Sequence, residues 1–175
     1  LPGKPVVLEI TGDQVYVNGQ PNTGLVPIGS SGPEGTVTAV LTSTRPGLKT
    51  ISAYGDDIRL DDQAPVAFTV GPVDPALSQL ETDRTTVVAD GAAYATLTAT
   101  LYDSYDHPVP GKVVLIQSTG DVILTQPAAT TDDQGRVQAT LRSTTVQTVT
   151  ASAFDQTDGI TLTQTATLAF IAGPA

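Results

Sequence analysis

The sequence predicts an all-β fold of two sandwiches in tandem, and three observations predict it. Apolar and polar residues alternate with period two, Asp/Gly/Pro clusters punctuate the alternating runs, and one half of the chain repeats the other. Composition agrees. The chain of 175 residues has 39% hydrophobic but only 5% aromatic residues and no Trp or Met, so Val, Leu, Ile and Ala must build its cores. Its 28 Thr suit a pleated surface with one face in water better than a helix. No segment of ten or more residues has helical periodicity.

The repeat comes first in the argument because it sets the domain count. Pro2-Gly3-Lys4 recurs as Pro110-Gly111-Lys112, and Thr11-Gly12-Asp13 as Thr119-Gly120-Asp121, each at a spacing of 108. Gly35 to Thr44 returns as Gly135 to Thr144 at a spacing of 100 without a gap. Thr50-Ile51-Ser52-Ala53 aligns with Thr148-Val149-Thr150-Ala151, and Phe68 with Phe170. The aligned blocks leave residues 77–109 without a counterpart in the first copy. The division expected is a partial repeat over 1–72, a linker over 73–76 and a complete repeat over 77–175. Two prolines in Gly71-Pro72-Val73-Asp74-Pro75 restrict φ there, which makes the linker short and stiff.

Strands follow from the alternation. Over 93–102, Ala93, Ala95, Leu97, Ala99 and Leu101 face inward and Tyr94, Thr96, Thr98, Thr100 and Tyr102 face water. Over 136–142, Val137, Ala139 and Leu141 face inward, as Val37, Ala39 and Leu41 do in the first copy. Residues 148–154 put Val149, Ala151 and Ala153 inside. Residues 160–170 put Ile160, Leu162, Ala166, Leu168 and Phe170 inside, with Gln164 the one polar misfit. Turns separate these runs at 103–107, 132–135 and 155–159. Seven to nine short strands per full repeat is the pattern of a two-sheet sandwich, with a closed barrel as the other architecture.

Charge and composition exclude several function classes. Eight Lys and Arg against 18 Asp and Glu give a net charge of −10, which repels nucleic acid and anionic lipid. No run of 18 apolar residues spans a membrane, the uncharged stretch from Ile160 onward being interrupted by Thr161, Thr163, Thr165 and Thr167. The absence of Cys removes disulfides, zinc thiolates and thiol nucleophiles.

The second copy resembles the bacterial immunoglobulin-like repeats of the invasin and intimin adhesins (group 1). The likeness is carried by Val88-Ala89-Asp90-Gly91-Ala92, by Leu101-Tyr102-Asp103 with Pro108-Val109-Pro110-Gly111, by Thr130-Thr131-Asp132-Asp133-Gln134-Gly135, and by the closing Thr148-Val149-Thr150-Ala151. Asp106-His107 departs from the family's second turn, and Gly32-Pro33-Glu34-Gly35 from its third. The resemblance implies tandem immunoglobulin-like β-sandwiches, the first lacking its N-terminal strands, in a segment placed outside the cell on the bacterial surface. It implies a structural stalk or spacer of an adhesin or extracellular fibre. The rival reading is an accessory carbohydrate- or cell-binding module of a larger secreted protein, with a host-cell or glycan ligand.

Candidate sites are few, and no catalysis is expected. The only histidine, His107, reads as an exposed turn residue. Asp56, Asp57, Asp61 and Asp62 are weak calcium candidates, since calcium takes carboxylate and carbonyl oxygens, but they lack the spacing of a calcium loop. Asp132 with Asp133, and Asp155 with Asp158, are weaker. A covalent Lys112-to-Asp crosslink and a sugar-stacking patch of Tyr16, Tyr102 and Tyr105 are also conceivable from the residue types. No cofactor is otherwise implied.

Loss of the opening strands should expose Val37, Ala39, Leu41, Ile51 and Ala53 together with unpaired backbone edges. Three explanations follow: a chain cut near Pro2-Gly3-Lys4 with its upstream strands lost or bound noncovalently, strands supplied by a neighbouring chain, or a first copy that has become a smaller sandwich. Upstream or neighbouring-chain strands are therefore the expected partners.

Overall fold

The computed structural model describes residues 1–174, so the expected domain end at 175 lies outside the described residues. Every regular element among the described residues is a strand. The chain divides into one compact unit over Leu1–Val70 and a second that begins at Gly71.

The first unit holds β1 (Pro5–Ile10), β2 (Val15–Val17), β3 (Gln20–Pro21), β4 (Leu25–Ser30), β5 (Leu41–Ser43), β6 (Gly47–Gly55) and β7 (Ile58–Phe68). They form one sheet in the order β4-β1-β6-β7 and another in the order β3-β2-β5. The core is small: Leu8, Ile10, Val15 and Val17 are buried, with Val26, Ile28, Ala39, Leu41, Ile51 and Ala53 packed against them.

The second unit holds β8 (Gln79–Thr82), β9 (Thr86–Val88), β10 (Ala95–Thr100), β11 (Val114–Ser118), β12 (Ile123–Thr125), β13 (Arg136–Arg142), β14 (Gln147–Asp155), β15 (Ile160–Thr161) and β16 (Ala166–Ile171). One sheet runs β12-β13-β10-β8 and the other β11-β14-β16-β9, with β15 also on β14. Alternate residues of both sheets meet between them, and Ala95, Leu97, Leu101, Leu141, Val149 and Ala151 are each 0% exposed. Such complete removal of Val, Leu and Ala from water is what an aromatic-poor core relies on.

The repeat recurs bond for bond. In the first unit Lys4 N donates to Ser31 Oγ, which donates to Leu1 O. In the second, Lys112 N donates to Thr131 Oγ1, which donates to Val109 O. The turn Gly32-Pro33-Glu34-Gly35, a departure in sequence, closes with Gly35 N on Gly32 O as Gly135 N closes on Asp132 O. One alignment needs correction. Thr50 N donates to Thr11 Oγ1 as Thr150 N donates to Thr119 Oγ1, so Thr50-Ile51-Ser52-Ala53 matches Thr150-Ala151-Ser152-Ala153, two residues beyond the expected match. A two-residue slip preserves strand parity, so the inward faces stand.

The first copy has eight more residues between Asp13 and Gly35 than the second has between Asp121 and Gly135, the spacing falling from 108 to 100 (108 − 100 = 8). This stretch contains β4, which adds to the outer edge of β1. The equivalent edge of β11 is closed by one side chain: Gln126 Oε1 accepts from Ile116 N at 2.9 Å and Gln126 Nε2 donates to Ile116 O at 2.7 Å.

Three further expectations change. The run 160–170 is two strands, because Gln164 leaves the ladder and its Oε1 accepts from Leu80 N at 3.0 Å, tying β8 to the segment between β15 and β16. Thr100, expected in water, is 7% exposed, since a short side chain on a central strand is covered by the longer Gln79 and Arg136 directly opposite it. Residues 73–76, expected as a linker, are held on the second unit: Val73 is 4% exposed and bridges Asp103, and Asp74 N donates to Tyr102 O at 2.7 Å.

Candidate functional site

Two features of the fold stand out, a buried carboxylate in the second unit and an uncovered face in the first. The carboxylate is Asp103, 1% exposed at the end of the β10 segment. Its Oδ1 accepts from Tyr105 N at 2.9 Å and His107 N at 3.0 Å, which folds the turn. Its Oδ2 accepts from Gly71 N at 2.9 Å and lies 3.1 Å from His107 Nδ1. Burial pushes the Asp103 pKa up, but the bonds from the Gly71, His107 and Tyr105 amides and the His107 ring outweigh it and hold the value at about 2. A residue read as part of an ordinary turn therefore anchors the chain where it joins the second unit. His107, expected to be exposed, is half-buried against this carboxylate and tilted toward the Tyr105 ring at 6.3 Å.

The uncovered face belongs to the first repeat. In the second, Arg136–Leu141 of β13 pair with β10, and β16 pairs with β9. In the first, only Leu41–Ser43 of the matching segment is a strand, and residues 36–40 have no ladder partner. Val37, Ala39 and Leu41 are half-buried, whereas Val137, Ala139 and Leu141 are 7%, 3% and 0% exposed. Ile51 and Ala53 are likewise half-buried rather than exposed as expected, because Leu8, Ile10, Val15 and Val17 cover one side of them. The far edge of β7 is open and most of its residues are exposed, while its counterpart β16 buries Ala166, Leu168 and Phe170. Lys49 stands where the second repeat has Val149. It is 5% exposed, its stem lies over Gly12, and its Nζ reaches toward Asp13 O at 3.4 Å, so an aliphatic stem fills an apolar position with its charge at the rim.

The acidic candidates are dispersed. Asp56 pairs with Lys4, and Asp56 and Asp57 form the two left-handed positions, φ 50° and 62°, of the β6–β7 hairpin turn. Asp61 and Asp62 are exposed neighbours on β7, on opposite faces of the strand. Among the described residues no three His, Cys, Asp or Glu side chains converge. Lys112 Nζ meets both oxygens of Asp158 at 2.8 Å, an ion pair that mirrors Lys4 with Asp56. Asp132 Oδ1 caps its own turn through Gln134 N and Arg136 N, and Asp133 is exposed. Asp155 is 0% exposed. Its Oδ1 accepts from Thr157 N, and its Oδ2 has no partner among the described residues. Tyr16 and Tyr102 are half-buried in different units, and Tyr105 is 61% exposed. Sequence reasoning missed Asp103, Gln126, Gln164 and Lys49. The only available signals were a polar residue at an inward strand position, for Lys49, and the alternation break at Gln164.

These features define a class: a tandem β-sandwich whose polar side chains mostly serve its own turns, strand edges and chain junction. The chain belongs to the bacterial Ig-like domain (group 1) family, whose model matches residues 77–171. It is 26% identical over 187 aligned residues to the inverse autotransporter adhesin YeeJ of Escherichia coli (strain K12), covering 98% of this chain and 8% of that protein. The chain thus spans under a tenth of that relative. Among solved structures it resembles the Escherichia coli adhesin FdeC, with TM-score 0.69 and 18% identity over 97% of this chain and 53% of that one. It also resembles invasin, a bacterial integrin-binding protein, with TM-score 0.56 and 24% identity over 100% of this chain and 33% of that one. These likenesses establish the fold as all-β and Ig-like.

Proposed function

We propose that the chain is a stalk segment of a bacterial surface adhesin, its two repeats, divided between Val70 and Gly71, acting as successive non-enzymatic spacers. We further propose that the first repeat is completed by strands of the β8–β10 kind from polypeptide outside these residues. The observation that carries the reading is the contrast between equivalent side chains, Leu41 half-buried and Leu141 at 0%. The missing cover must place small and branched apolar side chains over Val37, Ala39 and Leu41, as Ala95, Leu97 and Ala99 lie along β13. The short span between the end of β7 at Phe68 and the anchored Gly71 supports a connection with little slack.

Light scattering over a dilution series, with far-UV circular dichroism at each concentration, tests the completion. Dissociation coupled to loss of β signal is the expected outcome for strands supplied by a neighbouring chain, and a monomer that gains β signal only with upstream residues restored is the outcome for strands in the same polypeptide. A stable monomer with both repeats fully folded at every dilution overturns the completion. A glycan array and a host-cell pull-down test the spacer role, and saturable binding by these residues overturns it in favour of a binding module.

A further inference from the structure

We propose that the second repeat contains a mechanical clamp, the parallel pair β9–β16, which tension along the chain strains in shear. The biological use of the clamp rests on the stalk reading, but its geometry does not. Every other strand pair among the described ladders is antiparallel, and β9 alone runs parallel to its neighbour, with Ala169 opposite Thr86, Phe170 opposite Val87 and Ile171 opposite Val88. The bonds continue past both ends of the pair: Ala169 N donates to Thr85 O at 2.8 Å, and Ala89 N donates to Ile171 O at 2.8 Å.

The direction decides the mechanics. In a parallel pair the start of one strand and the finish of the other lie at opposite ends, so a pull that enters before Thr86 and leaves after Ile171 slides the strands along each other. All the ladder bonds are then strained together. An antiparallel pair of terminal strands would be pulled from the same end and would open one bond at a time. Forced unfolding is governed by the unfolding rate, so the number of bonds that must fail at once sets the resistance.

Side chains oppose the slide as well. Val87 is 4% exposed and Phe170 1%, and a slip of one residue would exchange the inward Val87 for the exposed Thr86. Just upstream, Asp83 secures the chain where it crosses from one sheet to the other, its N donating to Thr96 O and its Oδ1 accepting from Thr96 N at 2.8 Å. In the first repeat the edge of β7 has no such partner among the described strands.

The test is single-molecule force spectroscopy on the full chain. Because the sequence has no Cys, two introduced cysteines define the points of attachment. The pair Arg84→Cys with Ala172→Cys pulls β9–β16 in shear, and the pair Ala92→Cys with Ala172→Cys draws the same strands apart from their common end. All three positions are exposed, and matched thermal unfolding of the two variants confirms that both fold. The clamp requires a rupture force several-fold higher in the first geometry. Equal forces in the two geometries overturn it while leaving the spacer reading intact. Saturable ligand binding, by contrast, would overturn the spacer reading and leave the force ratio unchanged.

Discussion

Replacing Asp103 by Asn removes the charge that holds Gly71, Tyr105 and His107 while keeping the side chain's size. The carboxyl has a pKa of about 2 in the fold against 3.8 for an unperturbed aspartate. At about 1.4 kcal/mol per unit this difference contributes roughly 2 kcal/mol at neutral pH. The sign follows from the depressed value. The contribution is complete above pH about 4, where the carboxylate is ionised in both states, and it is lost as pH falls through about 2. Hydrogen exchange of the β10 and β14 core amides reads the stability of the second unit. Asp103→Asn should lower it by roughly 2 kcal/mol at pH 7 and show a shallower acid dependence between pH about 4 and about 2. The Gly71, Tyr105 and His107 amides should exchange much faster in the variant. Unchanged stability at pH 7 with an unchanged acid slope would refute the assignment of Asp103 as the anchor.

Other substitutions probe the remaining devices. Gln126→Ala strips the cover from Ile116 N and O, so it should cost about 1–2 kcal/mol in urea unfolding and promote self-association in light scattering. Thr131→Val leaves Lys112 N and Val109 O without their partner in a site 3% exposed, and should cost about 1–3 kcal/mol in the same assay. Gly135→Ala sets a Cβ 2.4 Å from Leu101 O at a φ of +72°, so the turn must move and the thermal midpoint should drop clearly.

The alternation made most strands of the second repeat legible, because Ala, Leu and Val on one face against Thr on the other leave only one way to bury the apolar set. Val137, Ala139 and Leu141 illustrate it, all lying inward as read. The same regularity caused the two-residue error at Thr50, since Thr-x-Thr-Ala and Thr-Ala-Ser-Ala are alike in a period-two code. Long-range side-chain work was not legible. Gln126 closes a strand edge ten residues away, and Asp103 captures an amide 32 residues upstream; neither leaves a local pattern. Strand β4 escaped notice because Pro27 and Gly29 interrupt its alternation and because it has no counterpart in the other copy. The absent strands of the first repeat were legible from internal comparison alone, whereas the partial cover over Ile51 and Ala53 required knowing where β1 and β2 pack.

The first repeat as a sandwich awaiting its cover is tested most directly by residue-resolved hydrogen exchange on the dilute chain, before and after adding a synthetic segment of its own residues 75–109. Without the segment, amides 36–39 and that of Ala67, which faces the open edge of β7, should exchange fast while those of β10 and β13 exchange slowly. With it, protection should rise at both first-repeat stretches together, as the equivalents of β10 and β9 dock. Slow exchange at 36–39 and Ala67 in the dilute monomer, unaffected by the segment, would contradict the account.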